Sequence, residues 1–315
     1  MLESFAYAFN AVMPFLVYLA IGYIIVRVGI TDRPFLTRLN TLNFRVIFPF
    51  MMFQNIYTAS PEGLPSGKLI ALTLISLFTI ILLLLVIVPR IVKENPRRGV
   101  IVQASYRSNF VLYGVALTIF LFGSEKGSVA GFMTLLVVTI FNVSAVIVLE
   151  LFNGDQRSSL GALLLKLIKN PLLQGCLVGL FFYLTGLRLR TCLATPVAAL
   201  GGIATPLAMI TLGGCLQFSA LKKNLRYLVP VLSFKLVILP LVMVLIACAL
   251  GLRGVELFLV LMIYGAPVAT ASYPMAMNMG GDGELAGQLV FVSTALSLFT
   301  IFLFIFCLSQ MGLLM

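Results

Sequence analysis

The sequence predicts an all-α polytopic membrane protein of ten transmembrane helices, arranged as two inverted five-helix repeats with broken crossover helices four and nine. Three observations predict it. Of 315 residues, 61% are hydrophobic and only 10% are charged, with a mean hydropathy of +1.13, against about a quarter charged in soluble domains. Apolar stretches long enough to cross about 30 Å of hydrocarbon recur ten times along the chain. The layout of the first half returns in the second, and each half holds one segment interrupted by helix-disrupting residues.

The first span, 8–28, is preceded by Glu3 and no basic n-region, so it reads as an uncleaved helix rather than a signal peptide. The second, 37–57, and third, 69–89, follow from apolar length, and the second carries Arg45. The fourth, 99–122, contains SYRSNFVLYGVAL, which sets Ser105, Arg107, Ser108 and Asn109 at mid-depth with Gly114 just beyond. The fifth, 128–150, leads through Asn153, Gly154, Asp155 and Gln156 into the second half without a large hydrophilic insertion.

The sixth span, 168–187, holds Gly175 and Gly179 in a GxxxG pair, read first as internal packing and second as a homodimer contact. The seventh, 195–216, and eighth, 227–250, are again apolar, the eighth with Lys235 inside it. The ninth, 255–279, contains YGAPVATASYPMAMN, with Gly265, Pro267, Thr270, Ser272 and Pro274 at matching depth. Each proline removes an N–H and crowds the preceding turn, so a break is expected there. The tenth, 284–308, follows a turn of Gly280, Gly281 and Gly283, with Asp282 as N-cap and Glu284 as dipole partner.

An offset near half the chain pairs Tyr106 with Tyr264, Gly123 with Gly281 and Phe141 with Phe299, giving repeats 1–157 and 158–315. Five crossings per half put the second half into the membrane upside down, so the broken helices meet near the midplane. Basic residues fix the orientation. Arg27, Arg33, Arg38, Arg90, Lys93, Arg97, Arg98, Arg157, Lys166, Lys169, Lys222, Lys223 and Arg226 gather on one set of loops, against Lys68, Lys126, Arg188, Arg190 and Arg253 on the other. The richer set is cytoplasmic, which places both termini outside, in a plasma membrane and most simply a bacterial inner membrane.

The net charge of +11 therefore orients helices and meets anionic lipid, and carries no nucleic-acid meaning. Cys176, Cys192, Cys215, Cys248 and Cys307 stand singly with no histidine in the chain, so no metal site or cofactor is expected and packing explains them. An enzyme would want a nucleophile with its base or a metal cluster, and none is visible.

Interrupted backbone survives in a bilayer only when buried in protein or lining a watery cavity. A reopened helix frees amides whose partial positive charge holds an anion, while freed carbonyls suit cations. A plain structural kink is the competing reading for any single proline; the paired placement favours a site.

Four runs carry a family resemblance: LNTLNFRVIFPFMMF from Leu39 to Phe53, YRSNFVLYGVAL from Tyr106 to Leu117, FKLVILPL from Phe234 to Leu241, and the ninth-span run. Together they resemble the auxin efflux carrier family, which includes bacterial malate and malonate permeases. The resemblance covers essentially the whole chain and implies a ten-helix fold, with scaffold and transport domains each drawing helices from both repeats. It matches Asn109 to the family's crossover asparagine, Gly114 to the following glycine and Pro267 to the crossover proline of the second half. Where the family usually has proline two residues after that glycine, this chain has Ala116, whereas the second half keeps Pro274, so the fourth helix is expected to break less sharply.

Arg45 and Lys235 read as basic side chains snorkelling to the interface, and Arg107 is divided between snorkelling and anion attraction. Positive charge on the cytoplasmic entrance alone would favour export. Glu150, Asp155, Asp282 and Glu284 sit at helix ends, and Asn142 and Gln288 serve either as ion ligands or as interhelical hydrogen-bonding groups.

The expected site is therefore Arg107, Ser108, Asn109, Tyr113, Gly114, Pro267, Thr270, Ser272 and Pro274. The expected activity is secondary transport of small organic anions, mono- or dicarboxylates such as malate, malonate or auxin-like acids, by alternating access and in the efflux direction. The alternatives are a sodium- or proton-coupled uptake permease and a non-transporting membrane sensor.

Overall fold

The computed structural model describes residues 2–59, 64–153, 160–216 and 218–314. The repeat boundary after residue 157, with Gly154, Asp155, Gln156 and Arg157, lies outside the described residues, as do the side chains of Glu3 and Lys166.

Every element is helical: α1 (Leu2–Arg27), α2 (Arg33–Leu42), α3 (Phe48–Tyr57), α4 (Gly67–Ile91), α5 (Asn95–Tyr106), α6 (Ala116–Phe122), α7 (Ser124–Leu151), α8 (Leu160–Lys169), α9 (Pro171–Thr185), α10 (Thr191–Cys215), α11 (Phe218–Ser233), α12 (Leu239–Ala249), α13 (Gly254–Gly265), α14 (Ser272–Asn278) and α15 (Gly283–Gln310). Among the described residues, five helical stretches, Gly67–Ile91, Glu125–Leu151, Thr191–Cys215, Leu221–Ala249 and Gly283–Gln310, are long and apolar enough to cross a membrane, and shorter apolar helices join them. This is a multi-pass membrane architecture, and the helices fall where the sequence places its apolar segments.

The starts of these helices follow local chemistry. Asp32, Ser66, Asn170 and Asp282 stand at N-caps and accept from backbone N–H groups at 2.8 to 3.4 Å. Pro34 and Pro171 occupy first-turn positions where a missing N–H costs nothing. Asp282 is thus the cap expected of it, and it also pairs with Arg97 at 2.9 Å.

Two prolines widen the helix ahead of them. Pro49 and Pro240 cannot donate to the carbonyl four residues back, and their rings push against it. The chain absorbs both with one π-helical turn, Asn43–Ile47 linking α2 to α3 and Phe234–Ile238 linking α11 to α12, closed by Phe48 N–H to Asn43 O and Leu239 N–H to Phe234 O. Lys235 sits in the second of these turns.

Packing gathers two groups of helices, joined chiefly where α1 lies against α15. α1 lies along α10, α3 lies between α9 and α10, and α2 joins the same group. Gly175 and Gly179 of α9 make the approach to α3 close: a Cβ on either would meet the carbonyl oxygen of Pro49 at 2.3 Å or of Phe53 at 2.9 Å. The GxxxG pair therefore serves internal packing.

The other group contains α4–α7 and α11–α15. At its centre, α13 is buried on every side from Leu257 to Gly265, and α5 from Gly99 to Tyr106. A helix apolar all round belongs in such a position. α4 instead turns Ile75, Leu82 and Ile91 outward, at 67%, 62% and 75% exposure, as a lipid-facing helix does.

Candidate functional site

The two central helices both stop short. α5 ends at Tyr106 and helix resumes at Phe110, passing through a π-helical turn, Val111–Val115, into α6. α13 ends at Gly265, and α14 begins only at Ser272. The break at 107–109 is shorter than that at 266–271, in line with the less sharp break that Ala116 implies for the fourth span.

The interrupted strands of backbone meet. Ser108 and Val268 form an isolated antiparallel bridge, and the Asn109 N–H donates to Pro267 O at 2.8 Å. Several other freed groups find partners nearby, as buried backbone must. The Ser108 hydroxyl donates to Ile263 O at 2.5 Å, the Val268 N–H donates to Ser293 Oγ at 3.1 Å, and the Gln103 carboxamide donates to Ser272 O at 3.4 Å.

Two cations close the arrangement. Lys235, fully buried, donates to Tyr264 O at 2.9 Å, to Tyr106 O at 3.3 Å and to the Ser108 hydroxyl. Arg107, 2% exposed, donates to Asn142 Oδ1 at 2.6 Å and contacts Met275 Sδ at 2.8 Å. Among the described residues neither forms an ion pair with a carboxylate. Buried charge is normally paired, so an arginine beside a cavity with only neutral partners favours an incoming anion.

The cavity is there. A space of about 540 Å³ opens at the crossing, walled by Arg107, Ser108, Asn109, Phe110, Val111 and Leu112 on one side and by Ala269, Thr270 and Ala271 on another. Further lining comes from the first packing group: Phe15 and Tyr18 of α1, Met51, Met52, Gln54 and Asn55 of α3, and Gly201, Gly202 and Thr205 of α10. Tyr113 N–H donates to Asn109 O at 3.2 Å, the first bond of the resumed helix. The amides of Phe110, Val111 and Leu112 thus belong to a first turn, where N–H groups lack intrahelical acceptors. The side chains of Asn109 and Thr270 make no hydrogen bond with another described residue, and both residues line the cavity.

Of the nine residues expected at the site, Arg107, Ser108, Asn109 and Thr270 line this cavity. The other five do not, and each has a reason. Tyr113 stacks on Phe15 with ring centroids 5.9 Å apart and so backs a lining residue. Gly114 lies in the π-helical turn, where a Cβ would meet the Phe110 ring at 2.6 Å; it makes room for that ring rather than breaking the helix. Pro267 spends its carbonyl on Asn109, while Ser272 and Pro274 are buried in the first turn of α14.

One other reading changes. Lys235 does not snorkel: it is buried at the crossing and was missing from the expected site. Arg45 is exposed, as snorkelling requires. Arg107 and Lys235 are both buried, and of the two only Arg107 lines the cavity. Asn142 receives Arg107 and donates to Met52 Sδ, and Gln288 bridges Asn224 and Glu284, so both act as interhelical hydrogen-bonding groups.

Residues 7–305 match the family model described as membrane transport protein. An uncharacterized transporter of Methanothermobacter thermautotrophicus is 27% identical over 291 residues, which covers 92% of this chain and 94% of that protein.

Proposed function

The chain belongs to the membrane transport protein family, and from that premise and the cavity at the crossing we propose a secondary transporter of small organic anions. The family consists of transporters rather than enzymes. One observation carries the choice of anion: a buried guanidinium, Arg107, meets a cavity with neutral partners and no carboxylate among the described residues.

The solute's carboxylate lies against Asn109, Thr270 and the first-turn amides of the helix resumed at Phe110, with Arg107 behind it. Helix N-termini point at anionic groups in this manner when membrane helices are broken. The volume falls in the range of small-molecule sites, about 300–1,000 Å³, which suits mono- or dicarboxylates.

The mechanism we infer is alternating access. α1, α2, α3, α9 and α10 form a scaffold, and the helices around α5 and α13 form the transport domain that carries the crossing past them. Ten crossings in two inverted halves, with both termini outside a plasma membrane, is the topology that the basic-residue bias supports.

Counterflow in liposomes tests the proposal. Purified protein preloaded with an unlabelled mono- or dicarboxylate should accumulate the labelled anion, chemically unchanged. Absence of counterflow across a screen of carboxylates overturns it, and saturable binding without flux points to a sensor instead.

A further inference from the structure

Lys235 lies outside the cavity wall but touches a residue that forms it. Its ammonium sits between Tyr106 O, the last carbonyl of α5, and Tyr264 O, next to the last of α13, with the Ser108 hydroxyl as third acceptor. Both carbonyls come from helix C-termini, the ends that carry partial negative charge. Two carbonyl oxygens and a hydroxyl oxygen make a hard ligand set, the kind that holds an alkali cation where broken membrane helices end. Here a side chain fills it.

We propose that Lys235 is a built-in cation of the crossing, occupying the point between the two helix ends that a free metal cation would otherwise fill, so that anion carriage proceeds without bound sodium. It is a positioning residue: it fixes Ser108, and through Ser108 the cavity wall, while touching no solute itself. The position follows from the π-helical turn Phe234–Ile238, which holds Lys235 at a register where all three acceptors are within reach. No carboxylate competes for it among the described residues. The inference rests on the transporter reading for its consequence in flux, but the cation-filled junction stands as a statement about the fold.

The test separates these two levels. Wild-type counterflow should be equal in sodium and in choline buffers. Lys235→Ala should lower counterflow about tenfold or more, because two helix C-termini and a hydroxyl then face one another without their cation. Ethylammonium or sodium should restore that variant several-fold and raise its melting temperature, while leaving wild type unchanged in both. Lys235→Met, which fills the space without charge, should stay impaired and show no rescue.

A saturable sodium requirement in wild type, or Lys235→Met transporting as wild type does, overturns the proposal. Where neither variant is recovered folded, the sodium comparison on wild type decides alone: equal rates support the proposal and a sodium requirement overturns it. Should wild type carry no anion at all, the transporter reading fails, and the melting-temperature shifts still judge the Lys235 assignment.

Discussion

The interruption at 107–109 is built from Arg107, Ser108 and Asn109, whereas that at 266–271 is built from Pro267, small apolar residues and Thr270. The first supplies side-chain chemistry: a guanidinium, a hydroxyl and a carboxamide at one edge of the cavity. The second supplies backbone, with Pro267 O receiving Asn109 and the Val268 N–H turned to Ser293. Proline enforces one break from within, since its N–H is missing and its ring crowds the turn before it. The other contains no proline, and polar residues that find partners outside the helix hold it open. The first break therefore contributes mainly side chains to the crossing, and the second mainly a fixed frame of backbone.

Substitutions break or sharpen this contrast. Arg107→Gln should have the largest effect, because it removes the buried cation and leaves Asn142 Oδ1 without its donor. Dicarboxylate counterflow should fall by about 2–3 kcal/mol, roughly 30- to 150-fold. Unchanged transport would remove Arg107 from the site.

Asn109→Ala should come next, at roughly tenfold in KM, the scale of one hydrogen bond to a charged group. Its carboxamide bonds no other described residue, so the melting temperature should hardly move. A large loss of stability would instead make Asn109 part of the frame.

Pro267→Ala probes the framing side. Restoring an N–H and lifting the ring removes a helix penalty of about 3 kcal/mol. Transport should fall severalfold while thermal stability holds or rises, because the helix gains where the site loses. Equal losses of both would show that Pro267 acts through packing alone.

Ser293→Ala should be the mildest. It deprives the Val268 N–H of its 3.1 Å acceptor, which costs about 1 kcal/mol in stability by thermal melting. Substrate preference should stay as in wild type, since Ser293 does not line the cavity. A changed preference would mean that the frame, too, selects.

Much of the scaffold could be read directly. Apolar length located the helices, Asp32, Ser66, Asn170 and Asp282 capped them through short-range rules, and clustered polar and proline residues marked both breaks. These are local properties, decided within a turn or two of chain. The site was legible only where it lay beside a break. Gln54, Asn55 and Thr205 are ordinary polar residues in apolar helices, and nothing near them in sequence says that α3 and α10 face the crossing.

Lys235 shows the limit most clearly. Its depth was readable, but whether a lysine at that depth reaches for water or for a neighbour depends on the direction in which the helix presents it. The π-helical turn ahead of Pro240 helps set that direction. Pro49 follows a turn of the same kind, yet Arg45 within it is exposed while Lys235 is buried. The signal available in advance was a basic residue a few positions before a proline in a span otherwise free of charge.

The single rung between Ser108 and Val268 has a mechanical corollary. A ladder one step long cannot slip by a register and remain joined; it is either latched or undone. While it is latched, the stubs of both interrupted segments are tied together as one piece.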